Sequence, residues 1–206
     1  MNNRILIVCN EDIVDKVAEY LTNVIEMDNM QCIYHYRNEI SFKLNNNDII
    51  EIKTDIGERN RYRGCRYNYI FIDSNFNINA TMMNNIIPCL KGKMIIINLD
   101  KTPFPENILF GEESKINNLW SLSVIDLEGN KFICEYIIGG IDLKIELVKR
   151  KYKELVGESK FKERQILIEI ISDRNNRIIT ITDSNAENVK MKFKFERVYR
   201  KKKIRH

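Results

Sequence analysis

Residues Arg61 to Asn75 read Arg-Tyr-Arg-Gly-Cys-Arg-Tyr-Asn-Tyr-Ile-Phe-Ile-Asp-Ser-Asn. A basic, glycine-hinged loop runs straight into the apolar stretch Tyr69 to Ile72, which ends in Asp73. A carboxylate at the carboxyl end of a buried strand stands where open α/β sheets hold their ligands, in the crevice beyond the strand ends. An acid there can help to hold a metal ion near phosphates. The next residue is Ser74, so no second carboxylate follows to activate water.

Other residues invite chemical readings of their own. Arg59, Arg61, Arg63 and Arg66 interleave with Tyr62 and Tyr67, a mixture suited to phosphate contact and base stacking. Arg197 and then Arg200, Lys201, Lys202, Lys203 and Arg205 make the C-terminal tail strongly basic. Asp48, Glu51 and Asp55 are close enough in sequence to suggest a two-metal nuclease site. At alternating strand positions they fit better as the solvated face of a hairpin. The five cysteines, Cys9, Cys32, Cys65, Cys89 and Cys134, are odd in number with no CxxC pair, and only two histidines accompany them. That spacing argues against zinc and for reduced thiols.

At 206 residues, with 30% charged and 44% hydrophobic side chains, the chain has the composition of a globular protein of one or two small domains. The net charge of +4 is mild but unevenly placed. No apolar run approaches the roughly 20 residues that span a bilayer, and the N-terminus lacks a small-residue cleavage site. A cytoplasmic protein with no membrane association is expected.

Arg4 to Cys9 reads as a strand buried on both faces. Ile13, Val14, Val17, Ala18, Leu21 and Val24 recur at helical spacing after Asn10-Glu11-Asp12, which can cap the helix. Cys32 to Tyr36 is a short strand. Residues 39–44 and 48–53 alternate about Asn45-Asn46-Asn47 and form a hairpin. Tyr69 to Ile72 is a strand, Thr81 to Leu90 a helix, Gly92 a turn, and Lys93 to Asn98 a second doubly buried strand. The Pro103 and Pro105 region leads to a domain boundary near residues 110–118. Beyond it, strands are expected at 120–126, 131–137, 165–172, 177–182 and 189–198. A helix over 142–155 should bury Ile145, Val148, Tyr152 and Leu155.

Taken in order, four segments resemble the ATPase domain of viral and phage terminase large subunits, and less closely superfamily 2 helicases. Ile5 to Asn10 with its helix looks like the family's second core strand. Ile40 to Ile52 is similar to the segment ahead of its arginine loop. Arg63 to Asp73 resembles the Arg-Gly loop and Walker B strand. Ile86 to Leu90 with Met94 to Asn98 looks like the helix and coupling-motif strand that follow. The resemblance covers about residues 4–103. It implies an α/β fold, a truncated RecA-like (P-loop NTPase-type) parallel sheet with helices over residues 1–112. A smaller α+β, mostly antiparallel module with a basic tail follows over 113–206.

The departures are as informative. There is no GxxxxGK[ST] to cradle the β- and γ-phosphates. Ser74 replaces the catalytic Glu, and Leu99-Asp100 stands where the family has its sensor. The resemblance thus implies an inactive ATPase relative of viral or phage origin, with no cofactor and with Asp73 and Ser74 as a degenerate Walker B. Its expected work is nucleic-acid binding or packaging assembly, through Arg59, Arg61, Arg63, Arg66, Arg200, Lys201, Lys202 and Lys203 on DNA or RNA. Two alternatives stay open: half of a split motor whose P-loop strand comes from a partner chain, or a protein-interaction module with no nucleic-acid role. In the family's sheet the P-loop strand lies beside the one matching Met94 to Asn98. Losing it would leave an apolar edge for the C-terminal module, a second copy or another protein to cover.

Overall fold

The computed structural model describes residues 3–36, 39–54, 65–77, 80–109, 119–125, 131–157, 166–172, 176–183 and 190–198. The chain divides into two compact units, Met1–Gly111 and Glu112–His206. Both are dominated by β-sheet, and the protein is of mixed α/β class.

In the first unit, β1 (Arg4–Val8) is flanked by β4 (Ile49–Lys53) and β5 (Tyr67–Asp73), and β5 pairs with β6 (Leu90–Ile97). All three pairings are parallel. Outside β4, the strands β3 (Glu39–Leu44) and β2 (Met30–Tyr36) add on antiparallel, giving the order β2-β3-β4-β1-β5-β6. Ile5 to Val8 and Ile70 to Ile72 are buried throughout, as strands covered on both faces must be. On one face, Leu6, Val8, Ile70 and Ile72 pack with Ile86 and Cys89 from the end of α2 (Ala80–Ile86) and the turn after it. On the other, Phe71 meets Phe104 edge-on at 4.6 Å, and α1 (Glu11–Val24) buries Ile13, Val14, Val17 and Leu21. Each such side chain taken out of water contributes about 2 kcal/mol.

The β3–β4 hairpin turns where the asparagines stand. Asn47 adopts φ 64°, a left-handed conformation that asparagine tolerates better than most residues. Its N–H donates to Leu44 O at 2.9 Å, and the Leu44 N–H donates to Asp48 O at 2.9 Å. Phe42 then stands opposite Ile50 and Ile40 opposite Ile52, all four inward.

Two expectations need correcting here. The helix expected over 81–90 stops at Ile86 and tightens into a 3-10 turn, Ile87–Cys89, because Pro88 has no N–H with which to continue the helical ladder. Gly92 is not a turn but lies inside β6. A Cβ there would come within 2.1 Å of the Asn68 backbone oxygen on β5, so only glycine admits this approach. The close contact falls where the β5–β6 register shifts between Tyr67 and Tyr69.

The second unit contains β7 (Leu119–Ile125), β8 (Lys131–Ile138), α3 (Ile141–Val156), β9 (Ile166–Ser172), β10 (Asn176–Asp183) and β11 (Lys190–Arg197). Its strand order is β8-β7-β11-β10-β9, antiparallel at every pairing. The register puts Trp120, Leu122, Phe193, Phe195, Ile179 and Ile181 on one face, and all are buried. Helix α3 ends at Gly157, whose φ of 86° suits a residue without Cβ. Among its described side chains, Leu143, Lys144, Leu147, Val148 and Tyr152 are buried. Ile145, expected in the core, is only partly buried, because the helix is rotated by about one position.

Candidate functional site

The parallel strands β1, β5 and β6 end together at Val8, Asp73 and Ile97, with Cys9 and Asn98 next in the chain. Asp73 is fully buried. Its Oδ1 accepts the Leu99 N–H at 2.9 Å and its Oδ2 accepts the Asn75 N–H at 3.1 Å. The Ser74 N–H donates to Ile97 O at 2.8 Å. Burial pushes the Asp73 carboxyl above its ordinary range, against the pull of the backbone N–H groups of Leu99, Asn75 and Ser74. The carboxylate thus ties the end of β5 to the loop leaving β6. The neighbouring Cys9 thiol is pushed up to about 12 by burial and by the charges of Asp73 and Asp12, which makes it a poor nucleophile.

Asn10 occupies the N-cap of α1 but does not cap it with its side chain. Its Nδ2 instead donates to Asn75 O at 3.3 Å and bridges the β1 and β5 ends. Lys16 on α1 meets Asp100 at 2.7 Å and donates to the Asp100 carbonyl at 3.1 Å. The Lys16 hydrogen bond and charge hold the exposed Asp100 carboxyl below its usual range. Beside them a cleft of about 230 Å³ opens, lined by Lys16, Val17 and Tyr20 of α1 and by Leu99 to Phe104. It is smaller than the roughly 300–1,000 Å³ of typical ligand pockets.

Of the basic residues singled out in the sequence, Arg66 is exposed at the start of β5 and donates from Nη1 to Pro88 O. Arg59, Arg61, Arg63, Arg200, Lys201, Lys202 and Lys203 lie outside the described residues. Tyr67, expected to stack on bases, is fully buried instead. The Arg4 guanidinium sits over its ring at 5.3 Å, so the ring is spent inside the sheet. Burial and the Glu51 charge push its hydroxyl well above the ordinary value.

The acids read as a hairpin face serve separate structural tasks. Asp48 accepts from the Asn3 N–H and from Asn46 Nδ2. Glu51 pairs with Arg4 at 2.9 Å and with the buried Lys53 at 3.5 Å. Asp55 lies outside the described residues. Burial would raise the Glu51 carboxyl, but the Arg4 hydrogen bond and the Lys53 charge hold it below its ordinary value. A carboxyl lowered on folding stabilises the fold above its unfolded pKa, and that stability is lost as pH falls through the folded one. Glu51→Gln is therefore expected to cost about 1–2 kcal/mol at neutral pH, discounted for the part-exposed Arg4. It should also flatten the acid limb of stability, read as urea midpoints between about pH 6 and about pH 3.

A second constellation was not anticipated from the sequence. In the second unit, fully buried Lys144 places Nζ 4.2 Å from the centre of the Trp120 ring and 5.8 Å from that of Phe195. The Cζ atoms of Arg177 and Arg197 lie 5.3 Å and 5.8 Å from the same indole centre. Lys144 recurs with Val148 and Tyr152 at helical spacing, the one signal that could have placed it inside.

Among the described residues, no group of three or more His, Cys, Asp or Glu comes together as a metal cluster, and no helix is long and apolar enough to cross a membrane. No protein-family model matches the chain, nor does any curated protein. Among solved structures it is similar to the large terminase of a thermophilic bacteriophage in complex with ADP. The TM-score is 0.32 at 7% identity, over 89% of this chain and 53% of that one. The chain spans about half the length of that terminase. A likeness this weak establishes neither fold nor activity, and the functional reading rests on the residues.

Proposed function

We propose that the first unit is a RecA-like relative of the terminase ATPase domain that does not hydrolyse ATP, and that the protein is a nucleic-acid-binding or assembly accessory in viral or phage DNA packaging. The observation that carries the loss of hydrolysis is the state of Asp73. At the Walker B position its two oxygens already accept the Leu99 and Asn75 amides inside the protein. A magnesium-holding acid keeps oxygens free for the ion and its waters. The serine at position 74 points the same way. The parallel strands β4-β1-β5-β6, with α1 after β1 and α2 between β5 and β6, suit such an ancestry.

Nucleic-acid contact is assigned to the basic segment that ends at exposed Arg66 and to the basic tail. Titration calorimetry with ATP and Mg²⁺ should show no binding; affinity with turnover would overturn the pseudo-ATPase reading. Binding to single- or double-stranded DNA should weaken with salt, with a slope of about −0.7 to −0.9 per phosphate contacted. Deleting residues 199–206 should flatten that slope. Absence of binding at low salt would remove the nucleic-acid role and leave a protein partner.

A further inference from the structure

Lys144, Arg177 and Arg197 bring three cationic side chains to one indole, and none of them forms an ion pair with a carboxylate among the described residues. An aromatic face compensates a cation only in part, and one ring cannot serve three. Two donors in the cluster are also buried without an acceptor among the described residues: the Trp120 indole N–H, in a residue only 4% exposed, and the Arg177 Nε. Buried donors left unmade are costly, and natural proteins keep few of them. Lys144 finds the carbonyls of Gly139 at 2.9 Å and Gly140 at 3.4 Å, which use its protons but do not neutralise a charge.

Among the described residues, few charged groups face this cluster. On α3, Asp142 is in the first turn but exposed. On β11, Glu196 alternates away from Phe195 and Arg197 and is taken by Lys194 at 2.7 Å. On β8, Glu135 stands opposite Leu122 in register, and its side chain is outside those described. α3 also begins here, and its unpaired first-turn amides favour negative charge.

We propose that Lys144, Arg177, Arg197 and the Trp120 indole N–H form an anion site in the second unit that takes a compact oxyanion, inorganic phosphate or the terminal phosphate of a monoester. A polymer backbone fits less well, because fully buried Lys144 leaves no room for the two ester links of a diester. Arg177 and Arg197 are part-exposed and supply the way in from solvent. Without an anion, burial and the two arginines lower the Lys144 amine to about 7, so it sheds much of its charge at neutral pH. An arriving anion reverses that balance, and binding takes up a proton.

Trp120 is the chain's single tryptophan, so its fluorescence reports this site alone. The full-length protein is titrated at about pH 8 with sodium phosphate against sodium chloride of equal ionic strength, a pH above the lowered Lys144 value where proton uptake is largest. Expected are a saturable change in Trp120 emission and a calorimetric heat that scales with the buffer's ionisation enthalpy. Arg177→Gln should weaken binding about tenfold, as the loss of one charge-assisted hydrogen bond does. Lys144→Met should abolish the proton uptake. Arg177→Gln keeps the test alive if Lys144→Met fails to fold. A flat phosphate titration of the wild type overturns the proposal. So does binding without buffer-dependent heat, or a fluorescence response to a 5′-dephosphorylated oligonucleotide and not to phosphate. A phosphate response of wild-type strength in Arg177→Gln would also sink it, whatever becomes of the nucleic-acid role.

Discussion

Asp73→Ala is expected to destabilise the first unit by about 2 kcal/mol, because it strands the buried Leu99 amide and leaves the part-buried Asn75 amide to water. The Leu99 and Asn75 N–H groups have Oδ1 and Oδ2 as acceptors, at 2.9 and 3.1 Å, and a methyl group offers nothing in return. Asp73→Asn should fall between, at about 1 kcal/mol, since its carbonyl keeps one acceptor while its NH2 opposes the other amide. The raised carboxyl works against this cost. A pKa raised on folding means that ionisation of Asp73 itself penalises the fold as pH rises, so both variants should lose more at low pH than at neutral pH. Urea unfolding followed by circular dichroism is the measurement, since the single tryptophan lies in the other unit. Hydrogen exchange should accelerate at Leu99 and Asn75. The sign of the stability change discriminates between roles. An acid kept for a ligand is held at a cost to stability, and removing it leaves the protein equal or more stable. Such a result would overturn the pseudo-ATPase reading along with the structural role.

Much of the first unit was legible because its strands declare themselves. Arg4 to Val8 and Tyr69 to Ile72 are apolar without alternation, the mark of burial on both faces, while residues 39–53 alternate about an asparagine turn. Gly92 was misread because a turn glycine and a strand glycine look alike in one chain. What distinguishes them is the neighbour across the sheet, and sequence order does not give it. Tyr67 misled for a related reason: it follows a basic loop in sequence but belongs to the strand, where Arg4 from β1 reaches over its ring. Lys144 was invisible because a lysine on a helix defaults to solvent. Its burial follows from the rotation of α3 that brings Leu143 and Leu147 inward in place of Ile145. Arg177 and Arg197 lie 20 residues apart at the far ends of two consecutive strands, β10 and β11, and they meet over Trp120 only once β7 pairs with β11.

Gly92→Ala should be the most damaging single methyl group that can be added to the described glycines. The new Cβ would stand 2.1 Å from the Asn68 oxygen and 3.1 Å from its carbonyl carbon. Both are backbone atoms, so no side chain can swing aside. Asn68 cannot retreat freely either, because its Oδ1 accepts the Arg4 N–H at 3.1 Å and so joins β5 to β1. Relief must come from parting β5 and β6 near the register shift, which spoils their parallel ladder and the core beneath Leu90 and Met94. A cost of about 2–4 kcal/mol follows from overpacking that only backbone movement can relieve. Gly140→Ala is the matched comparison: a Cβ there meets nothing within 4 Å, and the backbone φ of −76° suits alanine. Its cost should stay below about 1 kcal/mol, the ordinary loss at a helix N-cap. Thermal and urea unfolding of the two variants decide the matter, because the chemical change is the same and only the surroundings differ. If Gly92→Ala stays within about 0.5 kcal/mol of the wild type, the level of an ordinary surface change, the β5–β6 contact is looser than its geometry says.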